Sequence, residues 1–189
     1  MSALVAVLAG GRGRRMGAPK PLAELASEPL LARPLAAARA AGLDAVVVAK
    51  PGSPLPPLDV PLWLEPAEPA HPLLGIVTAL ERAAPRAVVA VACDMPFVSP
   101  ELLARLARGP EAVVRAGGRL QPFPARYDAA ALPALRAALA RGDSLRAVLA
   151  ALAAPELAEG ELAALGDPER LTASVNTPGE LAAARAALA

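Results

Sequence analysis

Short, uninterrupted apolar runs alternate with helix-spaced segments through the first 110 positions. Residues 3–8 (ALVAVL), 45–49 (AVVVA) and 87–92 (AVVAVA) contain no polar side chain. A run of that length without alternation predicts a strand covered on both faces. Residues 61–65 (PLWLE) predict a shorter third strand in this series. Between these runs, residues 30–41 predict a helix ended by Gly42, in which Pro34 either kinks the helix or marks its true start. Residues 75–84 predict a second helix. Ser99-Pro100-Glu101, with a cap, a first-turn proline and a first-turn acid, opens a third that runs to about Arg108. Strand and helix in alternation predict an α/β fold: three layers, a mainly parallel twisted sheet with helices on both faces.

The second half is less regular. Residues 112–115 (AVVR), the Gly117-Gly118 turn and residues 119–127 (RLQPFPARY) predict a hairpin or strand pair. Helices are expected at about 129–141 and 144–152. Thr177-Pro178-Gly179-Glu180 fits a capping box with proline at the first helical position, opening a helix to about Leu188. Residues 50–61 are proline-rich and aperiodic, which predicts a loop or lid. There is no internal repeat and no separating linker, so residues 1–189 are expected to form a single domain.

Composition narrows the class. The chain is 55% hydrophobic but only 2% aromatic, so Ala, Leu and Val must build the core. Its 22 prolines in 189 residues are about twice the usual share and stiffen loops and helix starts. A net charge of +1 with both signs interspersed argues against nucleic-acid binding through a broad basic face. The one cysteine, Cys93, excludes an intrachain disulfide and a multi-cysteine zinc site. No apolar run reaches membrane-spanning length and no leader pattern precedes residue 3, so a cytoplasmic protein without membrane attachment is expected, with a monomer as the default.

Candidate chemistry concentrates after the first strand. Residues 11–17 hold three glycines and three arginines, and Lys20 follows; only Lys20 and Lys50 among the 19 basic residues are lysines. Glycines let backbone N–H groups approach a ligand, and clustered cations suit phosphate oxygens. The dinucleotide fingerprint G-x-G-x-x-G fails because Met16 stands at its last glycine, and the P-loop fails because Gly17 precedes Ala18-Pro19. A plain strand–helix turn with surface arginines is the competing reading. Asp94, directly after the 87–92 run, should lie at a strand's carboxyl end, where parallel sheets place their ligands. It could hold Mg²⁺, which takes one or two carboxylates plus phosphate oxygens; a lone Asp there is equally a turn or cap residue.

LAGGRGRRMGAPK (8–20) resembles the signature of pyrophosphorylase-type nucleotidyltransferases, with Gly10, Gly11, Gly13, Arg15 and Lys20 as the matching residues. Cys-Asp-Met-Pro-Phe (93–97), HPLLGIVTAL (71–80), LQPFPARY (120–127) and SVNTPGEL (174–181) follow in order. The set is similar to the molybdenum cofactor guanylyltransferases. That resemblance implies transfer of GMP from GTP to the terminal phosphate of a molybdenum-bearing pterin, with Mg²⁺ and release of pyrophosphate. It implies catalytic roles for Arg15, Lys20 and Asp94, with Asp94 the metal ligand. Leu8, Ala9, Gly10, Gly11, Gly13, Lys20, Glu65, Gly75 and Asp94 would contact the nucleotide, and Gln121 and Asn176 the pterin acceptor. Residues 1–110 would then form the nucleotide-binding part and 111–189 the acceptor-binding part, and cofactor-synthesis or acceptor proteins could be partners.

Several positions depart from that pattern. Ala49 stands where the family has asparagine, and Glu65 or Glu68 must replace the aspartate that reads the base. His71 replaces a glycine, Ser174 an asparagine, and Gln121 stands where histidine is common. A CTP-dependent relative, a transferase acting on another phosphorylated acceptor, or a non-catalytic nucleotide-binding protein are the alternatives. His71 is expected as a pocket-wall or loop residue, and Cys93 as core.

Overall fold

The computed structural model describes residues 3–11, 16–110 and 112–188. In chain order, β1 (Leu4–Leu8) leads through the glycine loop to a 3₁₀ turn (Lys20–Leu22) and a two-strand ribbon, β2 (Glu24–Leu25) and β3 (Glu28–Pro29). Then come α1 (Ala32–Ala40), β4 (Ala45–Ala49), β5 (Leu62–Leu64), α2 (Pro72–Ala83), β6 (Val88–Ala92) and α3 (Pro100–Arg108). The second half contains β7 (Val113–Ala116), β8 (Arg119–Gln121), β9 (Ala125–Tyr127), α4 (Leu132–Arg141) and α5 (Leu145–Leu152). It closes with β10 (Glu156–Leu157), α6 (Glu159–Ala163), α7 (Pro168–Leu171) and α8 (Pro178–Ala186).

Five strands form the central sheet in the order β5-β4-β1-β6-β9, parallel except for β9. Because side chains alternate across a strand, each apolar run serves two cores. Val5, Val7, Val47, Val89 and Val91 face one layer with Leu35, Leu102 and Leu106 of α1 and α3. Leu4, Ala6, Val46, Val48, Val88 and Ala90 face the other with Leu73, Ile76 and Leu80 of α2, Leu135 of α4 and Leu149 of α5. This is the predicted three-layer arrangement, built from small aliphatic side chains.

A third cluster of buried residues, Met16, Leu25, Leu30, Val175 and Ala184, packs the region after the glycine loop against the C-terminal segment. The ribbon and α8 meet there, and Arg185 donates to the Glu24 carbonyl at 2.8 Å. Ala26 and Ser27, which turn the ribbon, both have positive φ (52° and 65°), a conformation that favours Gly or Asn.

Most predicted boundaries hold. Gly42 (φ 64°) follows α1, and Pro34 lies in its first turn, where the missing N–H costs no helical bond. Ser99 Oγ accepts from Leu102 N, and the Thr177–Glu180 capping box is complete. Helix α2 begins at Pro72 rather than at residue 75, because His71 caps it: its Nδ1 accepts the Leu73 N–H at 3.1 Å. Residues 119–127 are not one strand. Gly117 and Gly118, both at positive φ, turn β7 into β8, but Pro122 and Pro124 cannot donate to a ladder, so the chain breaks there. It resumes as β9, which pairs with β6 in the central sheet. The strand β10 and helices α6 and α7 carried no clear periodicity and were not anticipated. The 50–61 loop is anchored by Leu55, Leu58 and Val60, which pack against the α1/α3 core. No helix among the described residues is long and apolar enough to cross a membrane.

Candidate active site

All four parallel strands deliver polar or glycine residues from their carboxyl ends to one place. Backbone ladders extend one residue beyond the strands: Ala9 N bonds Val48 O, Cys93 N bonds Leu8 O, and Glu65 N bonds Ala49 O, at 2.8 to 3.1 Å. The positions of Gly10, Lys50, Glu65 and Asp94 are therefore set by the sheet itself. They line a cavity of about 520 Å³ together with Leu8, Gly11, Lys20, His71, Gly75, Cys93 and Phe123. A second cavity of about 600 Å³ shares Gly10, Gly11 and Lys50 and is walled by Pro51–Pro54, Ala67 and Glu68.

At one end, Lys20 Nζ donates to Asp94 Oδ2 at 2.5 Å and to Asn176 Oδ1 at 2.6 Å. Three segments far apart in sequence meet at this ammonium. Asn176 is held just before α8, where its backbone N–H and that of Thr177 both donate to Glu180 Oε2. Val175 N donates to the Asp94 carbonyl at 2.8 Å, joining the C-terminal segment directly to the turn after β6. Asp94 is 7% exposed, so its charge is shielded from water and relies on these partners. Cys93 beside it is inert: burial first, and the Asp94 charge second, push its thiol up to about 12.

At the other end, the Glu65 carboxylate is lodged between two glycines. A methyl at Gly10 would sit inside the contact radius of Glu65 Oε1, and one at Gly75 would lie 3.0 Å from Oε2 and 3.3 Å from Leu8 Cδ2. Both glycines are required by the carboxylate's position. Burial raises the Glu65 carboxyl above its usual range, and the Lys50 charge opposes that rise. Lys50 Nζ lies 4.0 Å from Glu65 Oε1 and donates to the carbonyls of Pro66, Ala67 and Pro69.

The structure thus brings Leu8, Gly10, Gly11, Lys20, Glu65, Gly75 and Asp94 to one cavity, with Ala9 on its neighbour. Asn176 joins them through Lys20. Gln121 lines neither cavity: its Nε2 is bonded to the Ala116 carbonyl within the β7–β8 hairpin. Arg15 and Gly13 lie outside the described residues. Lys50 and Phe123 also line this cavity; the rarity of lysine in an arginine-rich chain is the signal that points to Lys50, and Phe123 lies within the 120–127 segment.

Among the described residues, no group of three or more His, Cys, Asp or Glu side chains converges. A single carboxylate suits Mg²⁺, which completes its shell with phosphate oxygens and water, and does not suit an all-protein metal cage.

A family model described as the MobA-like NTP transferase domain matches residues 5–157. The molybdenum cofactor guanylyltransferase of Rhodobacter capsulatus is 36% identical over 141 residues, covering 71% of this chain and 73% of that protein. The one from Pseudomonas putida strain KT2440 is 34% identical over 147 residues, covering 74% and 77%. In fold, the chain superposes on molybdopterin-guanine dinucleotide biosynthesis protein A from Archaeoglobus fulgidus with a TM-score of 0.80, at 24% identity and 98% coverage of both chains. It superposes on 2-C-methyl-D-erythritol 4-phosphate cytidylyltransferase from Thermus thermophilus with a TM-score of 0.67, at 22% identity, covering 99% of this chain and 98% of that one. The chain is a nucleotidyltransferase and belongs to the MobA-like NTP transferase family.

Proposed function

We propose that this enzyme transfers GMP from GTP to the terminal phosphate of a molybdenum-bearing molybdopterin and releases pyrophosphate. The observation that carries this reading is the shape of one cavity: a Lys20–Asp94–Asn176 cluster at one end and a buried carboxylate, Glu65, at the other. The relatives' names supply the class of acceptor. An ionised carboxylate is acceptor-only, which matches the adjacent N1–H and N2–H donors of guanine.

Each residue has a defined task in that reaction. Backbone N–H groups of the Gly10–Gly11 turn approach the triphosphate, where side chains would block it. Asp94 would hold Mg²⁺, which when bound would supply positive charge to offset that of the triphosphate. Lys20 is held by Asp94 and Asn176, so its charge is in place before the α-phosphorus becomes crowded with negative oxygens. The acceptor needs no protein base, because a phosphate monoester with a second pKa of about 6 is largely dianionic near neutrality. An acceptor oxygen bonds the α-phosphorus, the bond from that phosphorus to the α–β bridging oxygen breaks, and its electron pair leaves with pyrophosphate. Arg15 is the residue the glycine-loop motif offers for the departing charge.

The test offers GTP, CTP, ATP and UTP with Mg²⁺, measures thermal stabilisation, and then follows pyrophosphate release with molybdopterin as acceptor. GTP should stabilise most and react. Preferential stabilisation and turnover with CTP would sink the guanylyl reading and leave a cytidylyl enzyme.

A further inference from the structure

Among the described residues of the cavity, Lys50 is the one charged group for which the transfer reaction has no task. Its ammonium carries three hydrogens, and three carbonyl oxygens surround it: Pro66 at 3.0 Å, Ala67 at 2.5 Å and Pro69 at 3.4 Å. All three belong to the segment that follows Glu65. The charge is therefore pinned in position 4.0 Å from Glu65 Oε1, close enough to act on the carboxylate while its hydrogens are engaged elsewhere. The Lys50 side chain is only 16% exposed and that of Glu65 7%, so water screens the pair weakly.

The consequence concerns which base Glu65 can read. A carboxylate offers two acceptors side by side; a protonated carboxyl offers one donor and one acceptor. Guanine presents two adjacent donors on its pairing edge, N1–H and N2–H. Cytosine presents the N4 amino donor next to the N3 acceptor, and adenine its N6 donor next to N1. The ionised group fits guanine, and the neutral group fits cytosine or adenine. We infer that Lys50 is a specificity-determining positioning residue: its pinned ammonium keeps Glu65 a double acceptor and so selects guanine over the other bases. This rests on the reading of Glu65 as the base-reading group.

Among the described residues, the surroundings leave this task to Lys50. From β1, Gly10 brings backbone only, and from α2, Gly75 does the same. His71, at the start of α2, has its Nδ1 committed to the Leu73 N–H. Lys20 and Asp94, from the 3₁₀ turn and the end of β6, pair with each other at the far end. Glu68 lines the neighbouring cavity. Burial works toward a neutral Glu65, and Lys50 is the charge that works against it.

Equilibrium binding of GTP and CTP with Mg²⁺, measured from about pH 5 to about pH 9, tests this in the full-length enzyme. In the wild type, the preference for GTP should hold at neutral pH and fade only in acid, as Glu65 takes a proton. Lys50→Met should lower the GTP-to-CTP affinity ratio at neutral pH by about tenfold or more, the loss of one bidentate match, and should recover it as the pH is raised. Lys50→Gln, which keeps N–H donors for the carbonyls without the charge, should behave like Lys50→Met; it separates charge from scaffolding and serves if the methionine variant fails to fold. Lys50→Arg, which keeps the charge, should stay near the wild type. Glu65→Gln presents a permanent donor–acceptor pair and should lower the ratio at every pH. If Glu65→Gln lowers the ratio but Lys50→Gln leaves both the ratio and its pH profile unchanged, the role assigned to Lys50 is wrong. If Glu65→Gln itself changes nothing, the base-reading role of Glu65 fails and this inference falls with it.

Discussion

The two ends of the cavity are built by different strategies. The Lys20–Asp94–Asn176 end is assembled from three segments spread over more than 150 residues, and polar side chains bonded to one another hold it together. The Glu65–Lys50 end comes from residues 50–75 closed by Leu8 and Gly10 at the end of β1, and close backbone packing plus an ammonium bonded to carbonyls hold it. Pairing between distant segments fixes a charge where a reaction needs it. Packing around one buried carboxylate fixes a shape, which suits recognition. Substitutions at the first end should therefore lower rate, and those at the second should alter binding and selectivity.

The largest expected effect separates the two ends most cleanly. Asp94→Asn keeps the size of the side chain and an oxygen for Lys20 but removes the carboxylate proposed to hold the metal. Pyrophosphate release should fall by about 10³-fold while the circular-dichroism spectrum stays unchanged, the scale seen when one preorganised electrostatic group is lost. Turnover within a few-fold of wild type would remove Asp94 from the chemistry.

Asn176→Ala asks whether the C-terminal segment serves the rate or the acceptor. Asn176 Oδ1 accepts from Lys20, so its loss should leave the ammonium mispositioned and lower kcat by about 10- to 100-fold, with little change in the acceptor KM. A raised acceptor KM with unchanged kcat would instead favour the direct pterin contact that the sequence comparison implied.

What the residue pattern showed in advance follows the same division. The apolar runs of β1, β4 and β6 had to be central parallel strands, and Asp94 and the glycine loop had to lie at their carboxyl ends, because burial on both faces leaves no other assignment. Asn176 could be proposed as a site residue but not as the partner of Lys20; that contact depends on the small cluster of Met16, Leu25, Leu30, Val175 and Ala184, whose members share no periodicity. Glu65 was one of two candidates, and only the space made by Gly10 and Gly75 distinguishes it from Glu68. The place of Gln121 depends on local geometry that the pattern does not encode: Pro122 and Pro124 end the ladder beside it, and its amide turns back to the hairpin.

Gly10→Ala acts through shape, at the Glu65 carboxylate and at the triphosphate turn alike. The added methyl would meet Glu65 Oε1, whose carboxylate has little room to retreat because Gly75 and Leu8 lie behind it. The fold should lose about 1–3 kcal/mol, typical of overpacking, and GTP should no longer raise the melting temperature. Preserved stabilisation by GTP would show that Glu65 can move aside without cost and that the two glycines are not there for it.

The smallest expected effect has the opposite sign and lies outside the cavity. The ribbon joining β2 to β3 turns through Ala26 and Ser27, both in the left-handed region, where glycine has no steric penalty. Ser27→Gly should relieve that strain, while adding chain entropy to the unfolded state that partly offsets the gain. The net is a rise in stability of up to about 1 kcal/mol, measured by denaturant unfolding. The ribbon packs on the C-terminal helix through Leu25, Ala184 and the Arg185 bond to Glu24, and that helix follows directly on Asn176. If the transfer end depends on this chain of contacts, a relaxed ribbon that lets α8 settle differently should change kcat while leaving the GTP-to-CTP ratio alone. A change in the ratio instead would mean that the two ends of the cavity are mechanically coupled.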